Sequence, residues 1–203
     1  MDLETPNTHN PYVEAAKASI RIFVESGEPA VIRENAIFCP GGGQYPSQCH
    51  DFSSLFNKRA GVFVSIKKHG ALRGCIGTIS PVYDCIADEI INNAISACSR
   101  DPRFDPVKPD EISSLSVSVD LLAEAEPVSS VADLDVVRYG VIVSRGYRRG
   151  LLLPNLEGVD TVEYQLQIAL SKAGINPAEK YSIERFEVAR HEEGGSMGDD
   201  EPA

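Results

Sequence analysis

Apolar and polar positions divide the chain into short periodic segments. Val13, Ala16, Ile20, Phe23 and Val24 recur at helical spacing. Asn10-Pro11 ahead of them suits an N-cap and a first helical position, and Ser26-Gly27 suits an end. Residues 29–60 show no clear period, and Cys39-Pro40-Gly41-Gly42-Gly43 with Pro46-Ser47 reads as loop. Val62, Val64 and Ile66 fall on one face of a strand from Gly61 to Lys67, Lys68-His69-Gly70 is a turn, and a second strand from Ala71 completes a hairpin. Ser80-Pro81 predicts the start of a helix with the stripe Val82, Ile86, Ile90, Ala94 and Ala97, stopped by Asp101-Pro102. Asp84, Asp88 and Glu89 fall in its N-terminal half, where the helix dipole favours negative charge.

Leu115, Val117, Val119 and Leu121 alternate with Ser116, Ser118 and Asp120, the pattern of a half-buried strand. Tyr139 to Ser144 and Gly150 to Leu153 predict a hairpin around Arg145-Gly146-Tyr147-Arg148-Arg149. Asp160-Thr161-Val162-Glu163 reads as a capping box for a helix carrying Leu166, Ala169, Leu170 and Ala173, with Gly174 at the left-handed C′ position. Tyr181 to Ala189 is a final strand whose alternation breaks near Arg185, in the manner of a bulge. Hairpins mixed with helices, without βαβ alternation and without a visible internal repeat, predict an α+β fold with a mostly antiparallel sheet flanked by helices.

Composition narrows the function classes. A chain of 203 residues can bury a core without disulfides or metals. Its 30 acidic and 19 basic residues give a net charge of −11, which disfavours bulk nucleic-acid binding. No apolar run approaches the ~18 residues of a spanning helix. Met1-Asp2-Leu3-Glu4 lacks the shape of a signal peptide, so the expected compartment is the cytoplasm. Five cysteines without a Cys-x-x-Cys pair point to reduced thiols and no metal site. The acid is uneven: residues 192–203 hold five acidic residues and no basic one, and without them the charge is −6. Residues 1–9 and 191–203 are therefore expected as disordered tails around a folded segment, 10–190.

The candidate chemistry centres on Leu72-Arg73-Gly74-Cys75-Ile76-Gly77-Thr78. Strand alternation sends Leu72, Gly74 and Ile76 to the core and Arg73, Cys75 and Gly77 to the other face. A guanidinium beside a thiol favours the nucleophilic thiolate, and strand glycines admit a ligand or a second backbone. The alternative is that Cys75 is a small buried hydrophobe and Arg73 an ion-pair partner. In Asp101-Pro102-Arg103-Phe104, Asp101 and Arg103 either anchor the loop or let Arg103 receive an anion in the same cleft. Arg145, Arg148 and Arg149 form the strongest basic cluster, either a solvated turn or an anion contact. Gly41-Gly42-Gly43 lacks the Lys-Ser/Thr of a nucleotide loop, and Cys39, Cys49 and His50 match no zinc spacing.

Taken in order, Gly61-Val62-Phe63-Val64, Leu72-Arg73-Gly74-Cys75-Ile76-Gly77, Asp101-Pro102-Arg103-Phe104, Gly150-Leu151-Leu152-Leu153-Pro154 and Lys172-Ala173-Gly174-Ile175 resemble the AMMECR-domain family. Its prokaryotic members are called AmmeMemoRadiSam system protein A. The resemblance covers nearly all of 10–190. It implies a larger lobe and a smaller lobe across a cleft, with the 72–77 block as the family's proposed functional site. Asp105 follows the second block where the family tends to a less acidic residue, and 29–60 and the tail match poorly. The resemblance supplies no reaction and no cofactor. Memo-like and radical S-adenosylmethionine proteins are the partners it implies, by association alone.

Two readings follow. In the first, Arg73 and Cys75 are catalytic, Gly74, Gly77, Thr78, Asp101, Arg103 and Arg149 line a ligand site, and the ligand is a small anion. In the second, the protein is a non-catalytic interaction module and the block is structural.

Overall fold

Asn10 opens the first helix as its position predicts. The computed structural model describes residues 9–193. In α1 (Pro11–Ser26) the Asn10 carboxamide oxygen accepts from the amides of Tyr12 at 3.0 Å and Val13 at 3.3 Å, and Gly27 closes the helix at φ 77°. The chain divides into two units, 9–121 with 190–193, and 122–189. The expectations for 1–8 and 194–203 lie outside the described residues.

In the first unit, β1 (Val31–Arg33) and β2 (Ala36–Phe38) form a hairpin, and Ser53–Leu55 is a 3-10 turn. This is the stretch without a period, and it is packed nonetheless: Ile37, Phe52 and Leu55 are fully buried in the core. Strands of three residues are too short for alternation to register. β3 (Gly61–Lys68) and β4 (Ala71–Gly77) form the expected antiparallel hairpin, turning through His69 and Gly70 at positive φ. Val62, Val64 and Ile66 join α2 (Ile86–Ser99) and Val117 and Val119 of β5 (Leu115–Leu122) in the core.

Helix α2 starts five residues later than the Ser80-Pro81 expectation. Ser80 to Asp84 is loop and Val82 is exposed, because the amides of Val82 and Tyr83 are drawn onto the Glu89 carboxylate instead of entering a helix.

The second unit holds β6 (Glu126–Pro127), β7 (Gly140–Arg145), β8 (Arg148–Leu152), α3 (Val162–Ala173) and β9 (Ser182–Phe186). Its core is Val141, Val143 and Leu152 against Leu166, Ala169 and Leu170. The N-cap of α3 is Thr161, whose hydroxyl accepts from the Tyr164 amide at 3.2 Å, so the box beginning at Asp160 is not formed. Gly174 takes the left-handed position at φ 64° as expected.

The final strand is two strands. β9 lies beside β7, whereas β10 (Val188–Glu192) pairs β5 in the other sheet. The break near Arg185 is therefore a change of sheet at Glu187, not a bulge; the Glu187 carbonyl accepts from the Ala123 amide at 3.0 Å. β10 also runs past the expected boundary at 190. The His191 ring stacks on Tyr12 with centroids 4.2 Å apart and hydrogen-bonds Asn10 at 2.9 Å, which holds His191 in the fold.

The strand orders are β10-β5-β3-β4 and β6-β9-β7-β8. Each unit thus repeats one plan, a hairpin, a helix, and a strand returning beside the first hairpin strand. The second hairpin strand carries an Arg-Gly pair in both, Arg73-Gly74 and Arg149-Gly150. A Cβ on Gly74 would lie 2.2 Å from the Ala97 carbonyl oxygen of α2, and one on Gly150 2.2 Å from that of Ala169 in α3. Both glycines let a helix backbone rest on the strand. The repeat is one of topology, which explains why no periodicity marks it in the sequence.

Among the described residues no helix is long and apolar enough to cross a membrane.

Candidate functional site

The register of β3 against β4 sets the geometry of the 72–77 block. Ile66 pairs Gly74 but Lys67 pairs Leu72, so Arg73 is the extra residue of a bulge. The bulge shifts the phase of everything before it. Leu72, expected in the core, is 43% exposed, while Gly74 stays buried beneath α2.

Arg73 is a brace. Its Nε and Nη2 donate to the two Glu111 oxygens at 3.1 and 2.9 Å, and Nη1 donates to the Asp105 carbonyl at 2.8 Å. Glu111 lies in the 3-10 segment Pro109–Ser114, and it also accepts from Lys68 and from the Lys108 amide. These donors pull its carboxyl down to about 2, Arg73 most strongly. Arg73 therefore ties residues 105–111 to the hairpin, and its electrostatic neighbours include Cys98 of α2.

Gly77 and Thr78 are also committed. A Cβ on Gly77 would lie 2.3 Å from the ring of its register partner Phe63. The Thr78 hydroxyl donates to Glu89 Oε2 at 2.7 Å. Glu89 is fully buried, forms no ion pair among the described residues, and also accepts from the amides of Val82 and Tyr83 and from Asn93. This network fixes the chain leaving β4. Glu89 counted in the sequence only as a helix-dipole acid; a glutamate on an apolar helix face was the available signal.

Cys75 has different company. Its sulfur accepts from the Ser65 hydroxyl at 3.2 Å, and its amide donates to Asp101 Oδ2 at 2.9 Å. Asp101 opens a turn closed by the Phe104 amide on its carbonyl at 3.1 Å, a position that Asp followed by Pro favours. The Asp101 side chain is only 2% exposed, and it clasps Arg103 through Nε at 2.9 Å and Nη2 at 2.7 Å. The clasp holds the Asp101 carboxyl far below the usual carboxylate range. Arg103 also donates to the Cys75 carbonyl at 3.2 Å.

A second clasp went unread in the sequence. Arg190 of β10 binds Asp120 of β5 through Nε at 2.7 Å and Nη2 at 3.0 Å, and the Asp120 side chain is again 2% exposed. Nothing local links residues 70 apart; the one hint was an aspartate on the polar face of an alternating strand. Arg103 and Arg190 both lie within electrostatic range of Cys75.

Cys75, Asp101 and Arg103 are thus brought together, joined by Ser65, Asp120 and Arg190. Arg149 belongs to the second unit and pairs with Glu184 at 3.3 Å. In both clasps the carboxylate takes the Nε and Nη2 edge and leaves Nη1 outside these bonds. Such a guanidinium is charge-balanced but fixed in direction, so it recognises an anion by oriented hydrogen bonds. Among the described residues no three His, Cys, Asp or Glu are placed to hold a metal.

Comparison with known proteins gives this geometry a family. The AMMECR1 family model matches residues 32–191. Protein CA_C1420 of Clostridium acetobutylicum is 48% identical over 184 residues, covering 91% of this chain but only 36% of that relative. A protein of Thermotoga maritima is 54% identical over 139 residues, 68% of this chain and 80% of its own length. The crystal structure of the uncharacterized protein PH0010 from Pyrococcus horikoshii superposes with a TM-score of 0.73 at 28% identity, covering 88% of each chain. The chain belongs to the AMMECR1 family.

Proposed function

We propose that the polar face of the first sheet binds a small anionic ligand, a carboxylate or phosphate group, on the Nη1 edges of Arg103 and Arg190. Cys75 presents its thiol to the bound molecule and is the group of this face able to act as a nucleophile. One observation carries the reading: two guanidiniums, each locked by a buried carboxylate, lie within electrostatic range of one partly exposed cysteine. Fixed donors lose little freedom on binding, which favours recognition of a specific anion over general attraction of charge. The five cysteines are all free thiols, which supports a reducing compartment such as the cytoplasm.

Thermal shift against phosphate, pyrophosphate, malonate and citrate tests this reading. A stabilising anion is expected, with its effect reduced in Arg103→Lys and Arg190→Lys, which keep the charge but lose the fork. No shift from any anion at millimolar concentration would reject the site.

The commitment of Arg73, Gly74, Gly77 and Thr78 to packing and buried bonds favours a second reading, a module in which most of the block is structural. Its partners would include the Memo-like and radical S-adenosylmethionine proteins that the family resemblance implies. Comigration of the purified proteins at micromolar concentration tests that reading.

A further inference from the structure

The polar face of the β3–β4 hairpin carries an apolar ring. Phe63 pairs Gly77 and Ser65 pairs Cys75 in the register, so alternation sets all four on the face opposite Val62, Val64 and Ile66. Those three are fully buried, whereas Phe63 is only half-buried. Among the described residues, the first core and the apolar side chains packed on it do not include Phe63.

Gly77 explains how the ring lies. A Cβ there would sit 2.3 Å from Cγ of Phe63, 2.5 Å from Cδ1 and 2.6 Å from Cδ2. The ring thus occupies the place of a side chain at 77 and rests on the β4 backbone. The second unit uses the same contact, with Phe186 over Gly140, but that ring is 2% exposed and closed into the interior. Phe63 is backed by the strand in the same way and keeps part of its surface open.

The neighbouring residues supply the polar part of a binding site. Ser65 and Cys75 come next along the face, about 6.8 Å from Phe63 and Gly77 by strand spacing. The Cys75 carbonyl accepts from Arg103 at 3.2 Å, and Arg190 lies within electrostatic range of the thiol. A flat apolar surface, a thiol and two fixed guanidiniums therefore follow one another within the length of a small molecule.

We infer that the anion held by Arg103 and Arg190 carries a planar aromatic ring, which stacks on Phe63 and lays the middle of the ligand across Cys75. The inference rests on the anion site proposed above and names the class of its ligand, an aromatic phosphate or carboxylate. A planar ring is favoured over an aliphatic chain because stacking uses the whole exposed surface of a ring that lies flat.

Calorimetric titration of the full chain tests this by comparing anions with and without a ring: adenosine 5′-monophosphate against ribose 5-phosphate, and phenylpyruvate against pyruvate. The ringed member of at least one pair should bind about tenfold tighter, the worth of one base stacked on an aromatic side chain. The pair that shows the preference identifies phosphate or carboxylate as the anionic group. Phe63→Leu should erase the preference and leave the affinity for the ringless anion unchanged, with circular dichroism checking that the variant folds. Arg103→Lys should weaken the ringed ligand, as one site holding both ring and anion requires. Equal affinity within both pairs overturns the inference while the anion site stands. Adenosine binding as tightly as its monophosphate, or a preference that survives Phe63→Leu, overturns it too. Failure of all four anions to bind at millimolar concentration overturns the anion site and the inference together.

Discussion

Asp101 holds Arg103 by both carboxylate oxygens while accepting the Cys75 amide on one of them, so a single buried side chain positions a guanidinium and a nucleophile-bearing strand together. Asp101→Asn keeps the shape and removes the charge. It should lower stability by about 1.5–3 kcal/mol, the range for hydrogen bonds to charged groups, read by urea unfolding. It should also abolish any anion response that depends on Arg103.

Gly74→Ala places a methyl against the Ala97 carbonyl, and the helix must lift from the strand. A loss of about 1–3 kcal/mol is expected, with a similar loss for Gly150→Ala in the second unit. Gly43→Ala is the control, since nothing lies within 4 Å of its Cβ position; it should stay within about 0.5 kcal/mol of wild type.

The Arg73 brace predicts a pH dependence. The Glu111 carboxyl falls from 4.5 to about 2 in the fold, so its contribution is complete above pH 4.5 and is lost as pH drops toward 2. Glu111→Gln should flatten the acid limb of stability against pH over that window. At pH 7 the variant should be weaker by about 1–3 kcal/mol, measured by denaturant midpoints.

The five thiols should separate under alkylation. Cys49 and Cys98 are each 2% exposed, and burial pushes the Cys98 thiol up to about 11. Peptide mapping after iodoacetamide at neutral pH should find Cys75 modified while Cys49 and Cys98 stay intact. A Cys75 as slow as those two would remove its role as a nucleophile.

Much of the fold was legible because its signals are local. The Asn10 cap, the 61–77 hairpin and the Gly174 stop each depend on residues within a turn or two of one another. Leu72 was misplaced because a single bulged residue reverses the faces of a strand, and alternation cannot report a bulge. At the site, Cys75 with Asp101 and Arg103 was readable as two adjacent blocks. The partners that decide the chemistry were not: Arg73 finds Glu111 38 residues away, and Asp120 finds Arg190 70 residues away. Only the folded topology brings such pairs into register.

The crossing of the chain back into the first sheet has a consequence for how the protein is made. β5 and Asp120 leave the ribosome well before β10 exists, and the whole second unit must be translated in between. Until Arg190 arrives, Asp120 has no clasp and β5 has an open edge, a state that invites pairing with other chains. The second unit, contiguous in sequence, is free to fold first, and the earlier-synthesised half is completed last.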